Sequence, residues 1–274
     1  MLRVLSLNCN RGSCNGERIA SIVNKANADV ICFQEFNHRV IEYLVPLNLE
    51  QDYIFINPPQ SQGWSGNVIY SKFPILKTQF IPLQGKSRLT IVVKILFRKG
   101  KEIDIVCLHL DPGRENTTIR NIQLNTLLSN FNQGQSSTIL IGDFNLSFDE
   151  IMPWPPSGWN GHELLPTYTN QNPCVHSKRK FVHPFDRCLY RNLILSDVET
   201  VGVDLPGSDH YGLLVEFQNG NDKIQINPED NYLIYLSGRK LQQLSDPVHF
   251  KSNDNLWVVG VNQQWLSCAH GLNI

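Results

Sequence analysis

Long apolar runs are missing from this chain: no stretch approaches the 18 residues that suggest a membrane helix. An excess of one charge is missing too. Lys and Arg number 24 against 25 Asp and Glu, a net charge of −1, so bulk electrostatic attraction to nucleic acid is not indicated and a local basic stripe would have to serve. No Cys-x-x-Cys pair occurs among the seven cysteines, Cys9, Cys14, Cys32, Cys107, Cys174, Cys188 and Cys268. Their odd number, and the apolar surroundings of Cys32 and Cys107, point to reduced thiols of an intracellular protein rather than a disulfide framework or a zinc site. No charged leader precedes the first strand-like segment, so nuclear or cytoplasmic residence without a membrane anchor is expected. Neither a Gly-x-Ser-x-Gly elbow nor a Walker-type glycine loop is found, which argues against serine hydrolase and P-loop chemistry.

What is present is a mixture of strand and helix patterns. Residues 2–7, 29–34, 53–56, 67–70, 74–82, 89–97, 102–110 and 137–141 read as strands, and so do 185–190, 193–203 and 211–217. Ile19, Ile22, Val23 and Ala26 recur at helical spacing over residues 17–26. Residues 37–44 and 115–131 read as further helices. Hairpins and βα units both occur, without strict alternation. That order predicts an α/β protein with two mostly antiparallel sheets packed together and helices outside. Residues 153–180 read as one long loop of the kind that carries function. A polar break at 218–222 separates a main domain, residues 1–218, from a small β-rich C-terminal appendage, residues 219–274.

Five segments place polar residues at strand ends: Leu7-Asn8-Cys9-Asn10, Phe33-Gln34-Glu35, the run from His109 to Arg114, Gly142-Asp143-Phe144-Asn145, and Gly207-Ser208-Asp209-His210. Each alone has a plain structural explanation. Glu35 suits a helix N-terminus, Asp143 and Asn145 suit a turn, and His210 suits a satisfied core. Together they suit hydrolysis of a phosphodiester, which needs stabilised phosphoryl oxygens and an activated in-line water. Glu35 is the metal-ligand candidate. Magnesium is the expected ion because it takes oxygen ligands, keeps its waters and needs only one or two carboxylates; manganese is a possible substitute. Asp143 is suited to orient and deprotonate the water, with Asn145 fixing its geometry. His109 and His210 are suited to donate to the phosphate. A histidine in that role needs an orienting partner. Asp186 is a better partner for His210 than Asp209, because neighbours on a strand face apart.

These segments, in this order, resemble the endonuclease/exonuclease/phosphatase superfamily over residues 1–218. The resemblance implies a four-layer α/β/β/α sandwich and a divalent-metal site. It places Asn8, Glu35, Asp143, Asn145, Asp209 and His210 at active-site positions, with Asn8 beside Glu35 at the metal and His109 at the phosphate. Three places are similar to the tyrosyl-DNA phosphodiesterase 2 enzymes: His109-Leu110-Asp111 with Arg114, Phe185-Asp186-Arg187, and Ser208-Asp209-His210-Tyr211-Gly212-Leu213-Leu214. That similarity implies cleavage between a tyrosine and a 5′-phosphate, in repair of topoisomerase-type adducts on DNA, or on RNA. The expected partner is nucleic acid bearing a 5′-linked tyrosine or peptide, met by a monomer. Arg114 would bind phosphate, and Trp64, Tyr168 and Phe185 would stack on bases or the tyrosine ring.

The sequence departs from those enzymes at Pro112, where they carry serine, and across residues 154–180. An abasic-site endonuclease is a weaker match, since Glu35 is followed by Phe36-Asn37 and His210 by Tyr211-Gly212. Retention of Glu35, Asp143 and His210 argues against a binding module that has lost catalysis. A basic stripe at Lys178, Arg179, Lys180, Arg187 and Arg191 is a further candidate for phosphate contact. Arg98-Lys99-Gly100-Lys101 reads as a hairpin turn.

Overall fold

The computed structural model describes residues 1–12, 15–47, 49–56, 58, 65–85, 89–131, 136–148, 150, 154–169, 182–204 and 206–218, and beyond them the backbone of four strands. The first half of the chain runs β1 (Leu2–Asn8), α1 (Gly16–Ala26), β2 (Val30–Phe36), α2 (His38–Leu44), α3 (Leu49–Asp52), β3 (Ile54–Ile56), β4 (Gly66–Ser71). The second runs β5 (Ile75–Ile81), β6 (Thr90–Leu96), β7 (Glu102–His109), α4 (Thr117–Phe131), β8 (Ser137–Asp143), then short β9 (Asn160–Gly161), β10 (Tyr168–Thr169) and β11 (Val182–His183). It closes with β12 (Asp186–Arg191), β13 (Ile194–Val201) and β14 (Gly212–Gln218).

Local sequence explains the helices. Asn15 caps α1, its side chain accepting from the Arg18 amide, and Asn27 ends it in the left-handed conformation at φ 41°. The predicted periodicity buries Ile19, Ile22, Val23 and Ala26. Asn37 caps α2 in the same way through the Arg39 amide. The helix expected over 115–131 instead opens with a tight turn over Arg114–Asn116, and α4 proper begins at Thr117.

Two six-stranded sheets form, in orders β13-β14-β1-β2-β4-β3 and β5-β6-β7-β8-β12-β9. Each contains one parallel pair, β1 with β2 through α1 and β7 with β8 through α4; all other neighbours are antiparallel. Three apolar clusters divide the layers. One joins the inner sheet faces, with Val4, Cys32, Ile69, Ile105, Ile141 and Val215. A second packs α1 and α2 on the first sheet through Ile19, Val23, Val40 and Phe33. A third packs α4 on the second sheet through Leu124, Leu127, Val106 and Leu140. The protein is therefore a four-layer α/β/β/α sandwich. Cys9, Cys32, Cys107 and Cys188 are free thiols inside it; burial pushes the thiols of Cys9, Cys32 and Cys188 up, which keeps them unreactive.

Among the described residues no helix is long and apolar enough to cross a membrane. Towards the C-terminus, β15 (Tyr232–Leu236), β16 (Lys240–Gln243), β17 (Leu256–Gly260) and β18 (Leu266–Cys268) pair with one another in the antiparallel order β16-β15-β17-β18.

One sequence expectation needs correction and another is refined. Within the expected loop, residues 154–169 carry only the short β9 and β10, yet they pack inward. Trp159 and His162 are buried, and Trp154 meets Phe144 edge-on at 6.0 Å. The stripe that included Arg187 and Arg191 is not a free basic surface. Arg187 is fully buried and donates to the carbonyls of Pro184, Leu146 and Ser147, while Arg191 donates to the Phe131 carbonyl. A guanidinium has five donors in a rigid fork, and here the fold uses them to hold backbone. Lys178, Arg179 and Lys180 lie outside the described residues.

Candidate active site

The topology brings strand ends together. In each sheet the two parallel strands finish at the same edge. An antiparallel neighbour begins there: β12 beside β8 and β14 beside β1. Asn8 ends β1, Glu35 lies at the end of β2, His109 ends β7 and Asp143 ends β8. Asp186 starts β12, and His210 lies just before β14. Register aligns His109, Asp143 and Asp186 on three adjacent strands. Gly142 permits this: a Cβ there would stand 2.0 Å from the Leu108 carbonyl oxygen, so only glycine lets β8 approach β7 so closely before Asp143.

Asp143 is the centre. Its carboxylate is buried. Oδ2 accepts from Asn8 Nδ2 at 2.9 Å and lies 3.4 Å from His109 Nε2 and 3.7 Å from His210 Nε2. Oδ1 accepts from the Asn145 amide at 2.8 Å. Asn145 has φ 51° and donates through Nδ2 to the Leu110 carbonyl at 3.0 Å. His210 donates through Nδ1 to Asp186 Oδ2 at 2.7 Å, and the Thr167 hydroxyl accepts from the Asp186 amide at 2.9 Å.

Electrostatics follow from burial. Desolvation pushes the Asp143 carboxyl up to about 7, against the lowering effect of charged His210 and with help from Asp186. Burial disfavours charge on His210 as well, but Asp186 and Asp143 outweigh it and raise the imidazole to about 10. His210 is therefore a cation near neutral pH and presents Nε2 to Asp143.

Glu35 sits where β2 bulges against β4, between Phe33 and Phe36, with φ 49°. A bulge re-aims a side chain, and a left-handed glutamate is an uncommon conformation that deserves a functional explanation. Its Oε2 lies 3.4 Å from Arg11 Nε, and its side chain is partly exposed. Glu35 and the Asn8 amide oxygen offer hard oxygen donors. Asn8 Oδ1 already accepts from the Asn10 amide at 3.0 Å but has a second lone pair. Among the described residues no group of three or more His, Cys, Asp or Glu makes a metal cage. A sparse, all-oxygen protein ligand set of this kind suits a hard dication such as magnesium, which retains most of its water.

Aromatic rings line the same mouth. Tyr168 packs edge-on to His210 at 5.1 Å and against Phe185 at 5.1 Å. His183 stacks on Phe185 at 4.8 Å. Trp64 lies outside the described residues. Arg114 is exposed in the turn before α4. Asp209 accepts from its neighbour Ser208 at 3.1 Å.

Sequence reading missed the supports behind these groups. Arg120 of α4, fully buried, donates to the carbonyls of Asp111 and Gly113, to the Thr117 hydroxyl and to Glu150. Glu150 in turn accepts from the amide and hydroxyl of Ser147. The pair fastens the loop after His109 to the loop after Asn145. An arginine in a helical segment carries no sequence signal that it faces inward.

A model of the Endonuclease/Exonuclease/phosphatase family matches residues 5–210. Solved structures share the fold. Truncated Caenorhabditis elegans TDP2 has a TM-score of 0.67 at 18% identity, over 79% of this chain and 97% of that one. D. rerio TDP2 complexed with single strand DNA product has a TM-score of 0.70 at 18% identity, over 79% of this chain and 98% of that one. An endonuclease/exonuclease/phosphatase from Beutenbergia cavernae has a TM-score of 0.61 at 18% identity, over 79% and 71%. No curated protein matches the chain in sequence.

Proposed function

The chain belongs to the Endonuclease/Exonuclease/phosphatase family, and on that premise we propose that it is a magnesium-dependent phosphodiesterase cleaving a 5′-phosphotyrosyl bond at the end of DNA or RNA. The observation that carries the chemistry is the pair of buried contacts on Asp143, whose carboxylate faces both His109 and His210 while Asp186 holds His210 from behind.

In this reading Asp143, raised towards neutrality, takes a proton from the attacking water. Asn8 and Asn145 fix its two oxygens. His210, protonated and oriented by Asp186, and His109 donate to the phosphoryl oxygens as charge builds there. The water oxygen bonds to phosphorus as the bond to the tyrosyl oxygen breaks, leaving a 5′-phosphate and a phenolate that takes up a proton from solvent. Glu35 and Asn8 would hold the dication, which supplies charge neutralisation at the phosphate. Asp209, adjacent to His210, belongs to the same acidic set.

The substrate assignment rests on two supports. Three sequence segments resemble tyrosyl-DNA phosphodiesterase 2. The rings of Tyr168 and Phe185 beside His210 also suit a base or the tyrosyl ring. Arg114 is the sequence-based candidate for a more distant phosphate. Residues 1–218 would form the catalytic domain and 219–274 an accessory sheet.

The test is a gel assay of the purified chain with magnesium, with and without chelator, on strands bearing either a 5′-phosphotyrosine or an internal abasic site. Release of a 5′-phosphate from the first strand alone is expected. Cutting at the abasic site instead would overturn the substrate and keep the metal-dependent phosphodiesterase.

A further inference from the structure

Beside Glu35 stands a cation that the reaction described above does not use. Asn10, Arg11 and Gly12 follow one another with φ of 44°, 54° and 67°, three consecutive residues in a region that side chains other than glycine seldom occupy. The turn is fastened at both ends. The Asn10 amide donates to Asn8 Oδ1 at 3.0 Å, and the Gly12 amide donates to the Cys9 carbonyl at 2.8 Å. A Cβ on Gly12 would sit 3.3 Å from the Val40 side chain of α2. What this turn holds out is Arg11, whose side chain is 60% exposed and whose Nε lies 3.4 Å from Glu35 Oε2. The glutamate it meets is itself left-handed at a bulge. Two separate backbone distortions thus converge on one ion pair.

An exposed pair of this kind contributes little to stability, so stability does not account for the geometry. Charge does. Glu35 follows the Gln34 that pairs with Asn8, Asn8 bonds Asp143, and Asp143, Asp186 and Asp209 all act on His210, so negative charge gathers where an anionic phosphodiester must enter. A guanidinium matches carboxylate and phosphate equally well, because its planar fork of donors suits both. A dication on Glu35 repels a guanidinium bonded to the same carboxylate, and the exposed side chain is able to turn away while its backbone stays anchored.

We propose that Arg11 serves this site in two states: it neutralises Glu35 before a dication binds, and it binds a phosphate oxygen of the substrate afterwards. The first half rests only on the reading of Glu35 as a dication ligand; the second rests on the whole phosphodiesterase reading.

The experiment uses the full chain as wild type, Arg11→Ala and Arg11→Lys, with melting temperatures taken to confirm folding. Free manganese is followed by electron paramagnetic resonance during titration. Removing the competing cation should tighten manganese binding by about 1.5–5-fold in Arg11→Ala, the range that an exposed ion pair allows, with Arg11→Lys close to wild type. Each protein, saturated with manganese, is then titrated against a 5′-phosphorylated single-stranded oligonucleotide by fluorescence anisotropy. Binding should weaken at least about 10-fold in Arg11→Ala, as for loss of a charge-assisted hydrogen bond, and less in Arg11→Lys. The opposite signs separate the proposal from a structural role of the turn, which would weaken both. Manganese bound no more tightly by Arg11→Ala, or oligonucleotide bound no more weakly, overturns it. Should the wild-type protein fail to bind the oligonucleotide at all, the phosphodiesterase reading and the second state fall together, and the manganese titration judges the first state by itself.

Discussion

Asp186 and His210 meet across the two sheets. The first residue of β12, in one sheet, accepts from Nδ1 of the histidine that precedes β14, in the other, at 2.7 Å. The carboxylate fixes which ring nitrogen bears the bond and keeps the imidazole charged. Asp186→Asn should therefore lower catalytic turnover by about 10²-fold or more. It should also shift the alkaline limb of the pH profile downward, because the charge that raises His210 has gone. A pH–rate series on both proteins measures this; an unmoved alkaline limb would show that His210 does not act as a cation.

Substitution at Asp143 separates chemistry from folding. Asp143→Asn keeps the shape and the Asn145 contact but removes the proposed base. Turnover should fall on the order of 10²–10⁴-fold, with a far-ultraviolet circular dichroism spectrum like that of wild type. A loss of only a few-fold would make Asp143 a structural residue.

Metal dependence should trace to Glu35. Glu35→Gln keeps the bulge and removes the anionic ligand. The magnesium concentration giving half-maximal activity should rise at least about 10-fold, as expected when a hard cation loses its carboxylate. Activity titrated with magnesium at fixed substrate reports it, and an unchanged midpoint would move the metal site elsewhere.

The buried Arg120–Glu150 pair should matter to stability more than to binding. Removing one partner leaves the other without its counter-charge inside the protein and frees the carbonyls of Asp111 and Gly113. Arg120→Ala should cost about 3–5 kcal/mol, read as a lower denaturant midpoint in urea. A cost under about 1 kcal/mol would mean that the loops hold their form without it.

His162 and Glu150 should each favour the fold less in acid, in separate pH ranges. Burial pushes His162 down to about 4, and its Nε2 accepts from the Cys188 amide at 3.1 Å. A group lowered on folding contributes stability above its unfolded pKa of about 6.5, and loses it as pH falls towards 4. Glu150 is penalised by burial, but bonds from Thr117, Ser147 and Arg120 hold it down at about 2. Its contribution is lost below an unfolded value of about 4.3. Asp143, raised to about 7, acts in the opposite sense over nearly the same range, so the His162 contribution is read as a difference between two proteins. Between pH 6.5 and 4 the melting temperature of the wild-type protein should fall relative to that of His162→Gln.

Much of the fold was legible in the sequence, because periodicity is local. The apolar run ending at Gln34, the spacing of Ile19, Ile22, Val23 and Ala26, and the turn at Lys99-Gly100 each announce their own conformation, and each forms. Strand boundaries moved by a residue or two, since the ladder partner decides where a strand stops. Residues 154–169 are irregular as read, but their burial was not legible. Their composition signals turns, while the burial of Trp159 and His162 depends on β12 lying alongside.

The sequence by itself determined which residue types stand at the ends of which strands: Asn8, Glu35, His109, Asp143, Asp186 and His210. It also pointed to Asp186, rather than the adjacent Asp209, as the partner of His210, and that bond forms. Only the tertiary structure decided that Arg187 and Arg120 point inward to bind carbonyls, that Arg11 meets Glu35, and that burial lifts Asp143 towards neutrality. The reason is physical. Alternation and turn chemistry act over a few residues. Desolvation and charge pairing depend instead on groups from distant parts of the chain, and these come within reach only once both sheets have closed on one another.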